Sequence, residues 1–132
     1  MINQPIHVVI LDDDLSIRTA LLRLLKSADM VAHAYATSHE LLESLALNRP
    51  DCLLLDLEGP QFNGLDVLKH LNQQQFRTPT IVVTGSDKDS RETCIKAGAV
   101  AYLRKPLDSN QLLRMIEEIA GADQPVANAA GS

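Results

Sequence analysis

The chain contains no tryptophan and only two tyrosines and two phenylalanines, so aromatics make up 3% of its 132 residues. The core must therefore be aliphatic, and a flavin would find almost nothing to stack on. A basic excess is also missing: 12 Lys and Arg stand against 17 Asp and Glu, for a net charge of −5. Phosphate neutralisation is the main electrostatic term in nucleic-acid binding, so direct contact with nucleic acid is not expected. Cysteine is scarce, and Cys52 and Cys94 lack metal-ligand spacing, which points to reduced, buried or half-buried thiols. No apolar run reaches the length of a membrane span, and no basic stretch precedes the first one as in a signal peptide. These absences suggest a cytoplasmic protein of one domain, long enough for a single well-buried core.

What is present is an alternation of short apolar runs with helical periodicity. Ile6 to Leu11 reads as a strand buried on both faces. Ile17, Ala20, Leu21, Leu24, Leu25 and Ala28 then share one helical stripe. Met30 to Ala36, interrupted by His33 and Tyr35, suits an edge strand. Thr37 and Glu40 have capping-box spacing before a second helix that stops short of Pro50. The third strand is Cys52 to Leu55, followed by a loop with Gly59, Pro60 and Gly64 and a helix from about Leu65 to Leu71. Thr80 to Thr84 forms the fourth strand. Asp89 and Glu92 are read as a capping pair for the next helix, with Gly98 at its left-handed stop. Ala101 to Arg104 is the fifth strand, and Asp108 and Gln111 open a last helix carrying Leu112, Met115, Ile116 and Ile119. Five strand–helix repeats predict an α/β fold with a parallel sheet and right-handed crossovers. Residues 122–132, poor in large apolar groups, read as a disordered tail or linker stub.

The strand ends carry the chemistry. The first strand ends in Asp12-Asp13-Asp14, the third in Asp56, the fourth in Thr84, and the fifth in Lys105-Pro106. Ligands of open α/β sheets bind beyond the carboxyl ends of the strands. If the first and third strands are neighbours, their carboxylates share a small space, because parallel strands lie about 4.8 Å apart. Two carboxylates about 4 Å apart repel by roughly 4 kcal/mol at an effective dielectric of 20. One lysine cannot offset three or four such charges, whereas a hard divalent cation can. Magnesium binds through one or two carboxylates and keeps waters that a phosphate can replace. Asp14 is better explained as the cap of the first helix. Asp56 suits a phosphoryl acceptor, with Lys105 and Thr84 as donors to its oxygens and Gly85 leaving room beside them.

In this order the residues resemble the receiver domain of bacterial two-component response regulators, over about residues 5–121. The motifs are Asp12-Asp13, Asp56 with Pro60 and Gly64, Thr84-Gly85, Lys96-Ala97-Gly98-Ala99 and Lys105-Pro106. The resemblance implies a flavodoxin-like (βα)5 three-layer sandwich with sheet order 2-1-3-4-5. It implies that Asp56 takes a phosphoryl group from a phosphohistidine on a sensor histidine kinase or phosphotransfer protein. Magnesium would be held by Asp13, Asp56 and the backbone carbonyl of Glu58, with Asp12 acting through water. Lys105 and Gly85 would contact the phosphoryl group, the Lys105–Pro106 bond would be cis, and Thr84 and Tyr102 would form the switch. Output would pass through the fourth helix, fifth strand and last helix to an effector protein or output domain, a surface that would also permit a phosphorylation-linked homodimer. Such a domain is a signalling device and not an enzyme with a separate substrate. Gly59-Pro60 departs from the family's large apolar residue before that proline and suggests a looser loop, and Glu58 adds a carboxylate expected to tune phosphoryl lifetime.

The main alternative is a small magnesium-dependent phosphohydrolase of the haloacid-dehalogenase type, which also uses an aspartyl nucleophile. Its nucleophile belongs to the first motif and its acidic pair comes last, the reverse of the order here. A flavodoxin-like electron carrier would need a phosphate loop after the first strand. A receiver serving only as a docking adaptor would not need Asp56 to react.

Overall fold

A computed structural model describes residues 4–60, 62–86 and 88–122. Five strands, β1 (His7–Leu11), β2 (Val31–Tyr35), β3 (Cys52–Asp56), β4 (Thr80–Thr84) and β5 (Ala101–Arg104), alternate with five helices. The helices are α1 (Leu15–Ser27), α2 (Ser38–Leu47), α3 (Gly64–Gln73), α4 (Arg91–Lys96) and α5 (Ser109–Ala122). The sheet is parallel throughout, in the order β2-β1-β3-β4-β5. This is the flavodoxin-like order expected from the sequence.

Side chains alternate across a strand, so each strand feeds two cores. Val9, Leu11, Leu53, Leu55 and Val82 face Leu41, Leu45, Val67, Leu68, Leu71 and Cys94 of α2, α3 and α4. Val8, Ile10, Leu54, Ile81, Val83 and Leu103 face Leu21, Leu25, Leu112 and Ile116 of α1 and α5. The result is three layers. Continuous apolar runs such as Cys52–Leu55 are needed because both sides of the central strands are covered. Fully burying each of these aliphatic side chains contributes about 1.5–3 kcal/mol. Both cysteines are buried free thiols. Burial first, then the nearby Asp51 charge, pushes the Cys52 thiol up to about 12, so it is an inert core group.

Several local expectations shift. Strand β2 lies at the sheet edge as anticipated, and Ala20 of the α1 stripe is exposed. The N-cap of α4 is Ser90, whose hydroxyl accepts from Thr93 N at 3.1 Å, and not Asp89. Helix α3 starts at Gly64, one residue early, capped by the Asn63 side chain. Gly98 has φ +119 at the stop after α4. The loop after Asp56 carries local pairing among its described residues. Glu58–Gly59 pairs antiparallel with Phe62–Asn63 as a short ribbon. A Cβ on Gly59 would lie 2.9 Å from Asp13 Cγ and 3.0 Å from the Phe62 ring, so glycine here lets the loop close down. The expected tail falls, from residue 123 onward, outside the described residues.

Candidate functional site

Register assembles the site. Leu11 pairs with Leu55, so Asp12 and Asp56 emerge side by side one residue on. Asp56 pairs with Val83, which sets Thr84 one step further along the neighbouring strand. Thr84 pairs with Arg104, which delivers Lys105 at the next position. Behind the acceptor, a Cβ on Gly64 would lie 2.3 Å from Asp56 O and 2.5 Å from Leu57 Cα. Only glycine lets the start of α3 pack so tightly against the chain leaving β3.

Asp12, Asp13 and Asp56 each offer a carboxylate oxygen, and these atoms lie within 4.8 Å of one another. Asp12 is 3% and Asp56 4% exposed, while Asp13 is half-buried. Lys105 Nζ stands 3.1 Å from Asp12 Oδ2 and 3.6 Å from Asp56 Oδ1. One ammonium thus pairs with two members of a cluster of three carboxylates. Burial, and then the Asp12 charge, push the Asp56 carboxyl up from an ordinary 3.8 to about 6, against the opposing pull of Lys105. Burial alone would lower the Lys105 amine, but the Asp56 and Asp12 carboxylates outweigh it and hold the amine above its usual value. A buried surplus of negative charge on hard oxygen donors, with no thiolate or imidazole in the cluster, fits a divalent cation such as magnesium.

The other singled-out residues divide. The Asp14 side chain accepts from Ser16 N and Ile17 N and caps α1, as its sequence position suggested. The Thr84 hydroxyl donates to Ser86 O at 3.2 Å and accepts from Ser86 N at 3.1 Å. Half-buried Tyr102 packs on the core, and its hydroxyl donates to Asp89 O at 3.0 Å. Capping α4 with Ser90 is consistent with that use of the Asp89 carbonyl. The Lys105–Pro106 bond is cis, as expected. A Cβ on Gly85 would meet only Lys105 Cδ, at 3.9 Å, so the space beside the lysine stem is open. The Glu58 side chain is exposed, and its N–H reaches Asp56 Oδ1 at a long 3.4 Å. One participant was not foreseen. Arg18 Nη1 donates to the backbone carbonyl of Asp12 at 2.8 Å. An Arg four residues past the cap of α1 is the only sequence signal, because its partner is main chain.

A parallel sheet that gathers carboxylates, a hydroxyl and an amine at its carboxyl edge defines a receiver-type domain. The chain belongs to the response regulator receiver domain family, whose model matches residues 8–117. It is 37% identical over 111 residues to the DNA-binding transcriptional regulator NtrC of Escherichia coli strain K12, covering 83% of this chain but 24% of that protein. The chain therefore spans about a quarter of the length of that relative. A response regulator receiver protein from Burkholderia phymatum is 37% identical with a TM-score of 0.76, covering 89% of this chain and 96% of that one. The receiver domain of the sensor histidine kinase PA1611 from Pseudomonas aeruginosa PAO1, described with a magnesium ion in its active-site cleft, shares the fold. Its TM-score is 0.80 at 24% identity, over 89% of this chain and 99% of that one. The phosphohydrolase alternative finds no support in these relationships. Among the described residues, no helix is long and apolar enough to cross a membrane.

Proposed function

We propose that this domain accepts a phosphoryl group on Asp56 from the phosphohistidine of a sensor kinase or phosphotransfer protein. An Asp56 carboxylate oxygen attacks phosphorus, the P–N bond breaks, and its electron pair leaves with the imidazole. Magnesium, held by Asp13, Asp56 and the Glu58 carbonyl with Asp12 through water, would supply charge neutralisation on the phosphoryl oxygens. The magnesium described in the Pseudomonas receiver cleft supports this reading. Lys105, already between Asp12 and Asp56, pairs with a phosphoryl oxygen, and Gly85 leaves that oxygen room.

Output follows from hydrogen-bond exchange. Phosphorylation adds about two negative charges and strong acceptors at the end of β3. The Thr84 hydroxyl trades Ser86 O for a phosphoryl oxygen, and the loop between β4 and α4 moves with it. That loop holds Tyr102 through Asp89 O, so Tyr102 turns inward and the α4–β5–α5 surface shifts between two packings. The reader of that surface is an effector protein or an output domain joined beyond residue 121, and a phosphorylation-linked homodimer could form through the same face. The chain acts as a signalling domain that promotes only its own phosphorylation and dephosphorylation.

The observation that carries this reading is the buried Asp56 carboxylate, crowded by Asp12 and Asp13 and paired with Lys105. Incubation with acetyl phosphate and magnesium, followed by intact mass, tests it. Wild type should gain one phosphoryl group and Asp56→Asn none. No gain in wild type, or equal gain in both, would overturn it.

A further inference from the structure

The acidic pair sits on a turn whose side chains are mutually repulsive, and something must hold that backbone before any cation arrives. The N–H of Asp12 closes the last bond to β2, donating to Tyr35 O at 3.1 Å. Asp12 Oδ1 accepts from Asp14 N at 2.9 Å, and Asp12 Oδ2 receives Lys105. That leaves the Asp12 carbonyl, which lies past the end of the ladder to β2.

Arg18 fills this role. Its guanidinium donates to Asp12 O at 2.8 Å, and its own backbone N–H donates to Asp14 O at 3.0 Å. One residue of α1 therefore grips the carbonyls on both sides of Asp13. Arg18 is itself half-buried. A charge-assisted bond is roughly twice as strong as a neutral one, so among the bonds to main-chain carbonyls of the turn this is the strong one. Gly59 lies close enough on the other side that a Cβ there would come within 2.9 Å of Asp13 Cγ.

We propose that Arg18 is a positioning residue: by pinning the Asp12 carbonyl it presets the Asp13 carboxylate for the cation. It touches neither cation nor phosphoryl group. The inference rests on the magnesium reading above.

The test turns on a sign. Removing a cation near three carboxylates should, by charge alone, tighten magnesium binding. If Arg18 positions the turn, its loss should weaken binding instead. Supporting partners of metal ligands change affinity by about 10–100-fold. Calorimetric titration of Arg18→Met with magnesium is expected to show weakening of about tenfold or more. Arg18→Lys, which keeps the charge and one donor, should fall between Met and wild type. Arg23→Met, which removes an exposed charge from the same helix, should bind as wild type. A metal-free readout accompanies these: the Asp14 amide, bonded to Asp12 Oδ1, should lose protection from hydrogen exchange in Arg18→Met but not in Arg23→Met. Arg18→Met binding as tightly as wild type or more so, or unchanged Asp14 protection, overturns the proposal. If Arg18→Met does not fold, Arg18→Lys decides by the same two measurements. If wild type binds no magnesium, the metal reading fails, and the Asp14 exchange still decides whether Arg18 pins the turn.

Discussion

Replacing Asp56 by Asn should make the metal-free protein more stable, although it removes the residue on which the proposed function depends. The folded environment holds the Asp56 carboxyl at about 6 instead of 3.8, chiefly through burial and the Asp12 charge. Each pKa unit corresponds to about 1.4 kcal/mol, so the ionised carboxylate costs the native state roughly 3 kcal/mol at pH well above 6. The sign follows from linkage. Between 3.8 and 6 the folded chain binds a proton that the unfolded chain has lost, so this contribution to stability declines as pH rises. An amide of the same shape carries no such charge, and Lys105 keeps Asp12 at 3.1 Å. In EDTA at pH 7.5 the melting temperature of Asp56→Asn should exceed that of wild type by roughly 10 °C for a domain of this size. The gap should shrink to about half near pH 5 and vanish below pH 4. Paired thermal or urea melts across that range provide the assay. An Asn variant no more stable than wild type at pH 7.5 would refute the reasoning, as would a gap independent of pH.

Two further substitutions probe how the site is built. Gly64→Ala should destabilise the domain by about 3 kcal/mol in urea unfolding, because the added methyl meets rigid backbone at Asp56 and Leu57; a loss under 1 kcal/mol would mean that this close approach relaxes readily. Ser90→Ala should cost about 1 kcal/mol and Asp89→Ala much less, since Ser90 is the cap of α4 and Asp89 contributes its carbonyl; the reverse order in thermal melts would return the cap to Asp89.

Strand identity was legible because each buried strand is a bare apolar run ending in a polar side chain, whereas the strand order came from the family resemblance and not from the runs themselves. Once β1 and β3 are neighbours, register alone brings Asp12 beside Asp56, and Thr84 and Lys105 follow at consecutive steps. Three features were not legible, each for a physical reason. Asp89–Glu92 and Ser90–Thr93 both offer cap spacing, and only the three-dimensional position of Tyr102 shows that the Asp89 carbonyl has another use. Gly59 suggested slack when read as a missing side chain, yet that lack is what brings the loop against Asp13. Arg18 was invisible because it binds a main-chain oxygen, and no side-chain pattern records such a partner.

Magnitudes also indicate which way the switch would run. The Thr84 hydroxyl holds a neutral carbonyl, Ser86 O, at 3.2 Å. Such a bond contributes about 0.5–1.5 kcal/mol, and one to a charged acceptor about 1.5–3. A phosphoryl oxygen within reach of Thr84 would therefore win the proton by roughly 1–2 kcal/mol, a shift of about 5- to 30-fold in population. That is enough to bias a loop but not to lock it. The second tie on the same loop, Tyr102 to Asp89 O, is also between neutral groups and so comparable in strength. A loop tied to β4 and β5 through neutral hydrogen bonds, beside a sheet buried on both faces, is where a charge added at Asp56 would do most to change the surface.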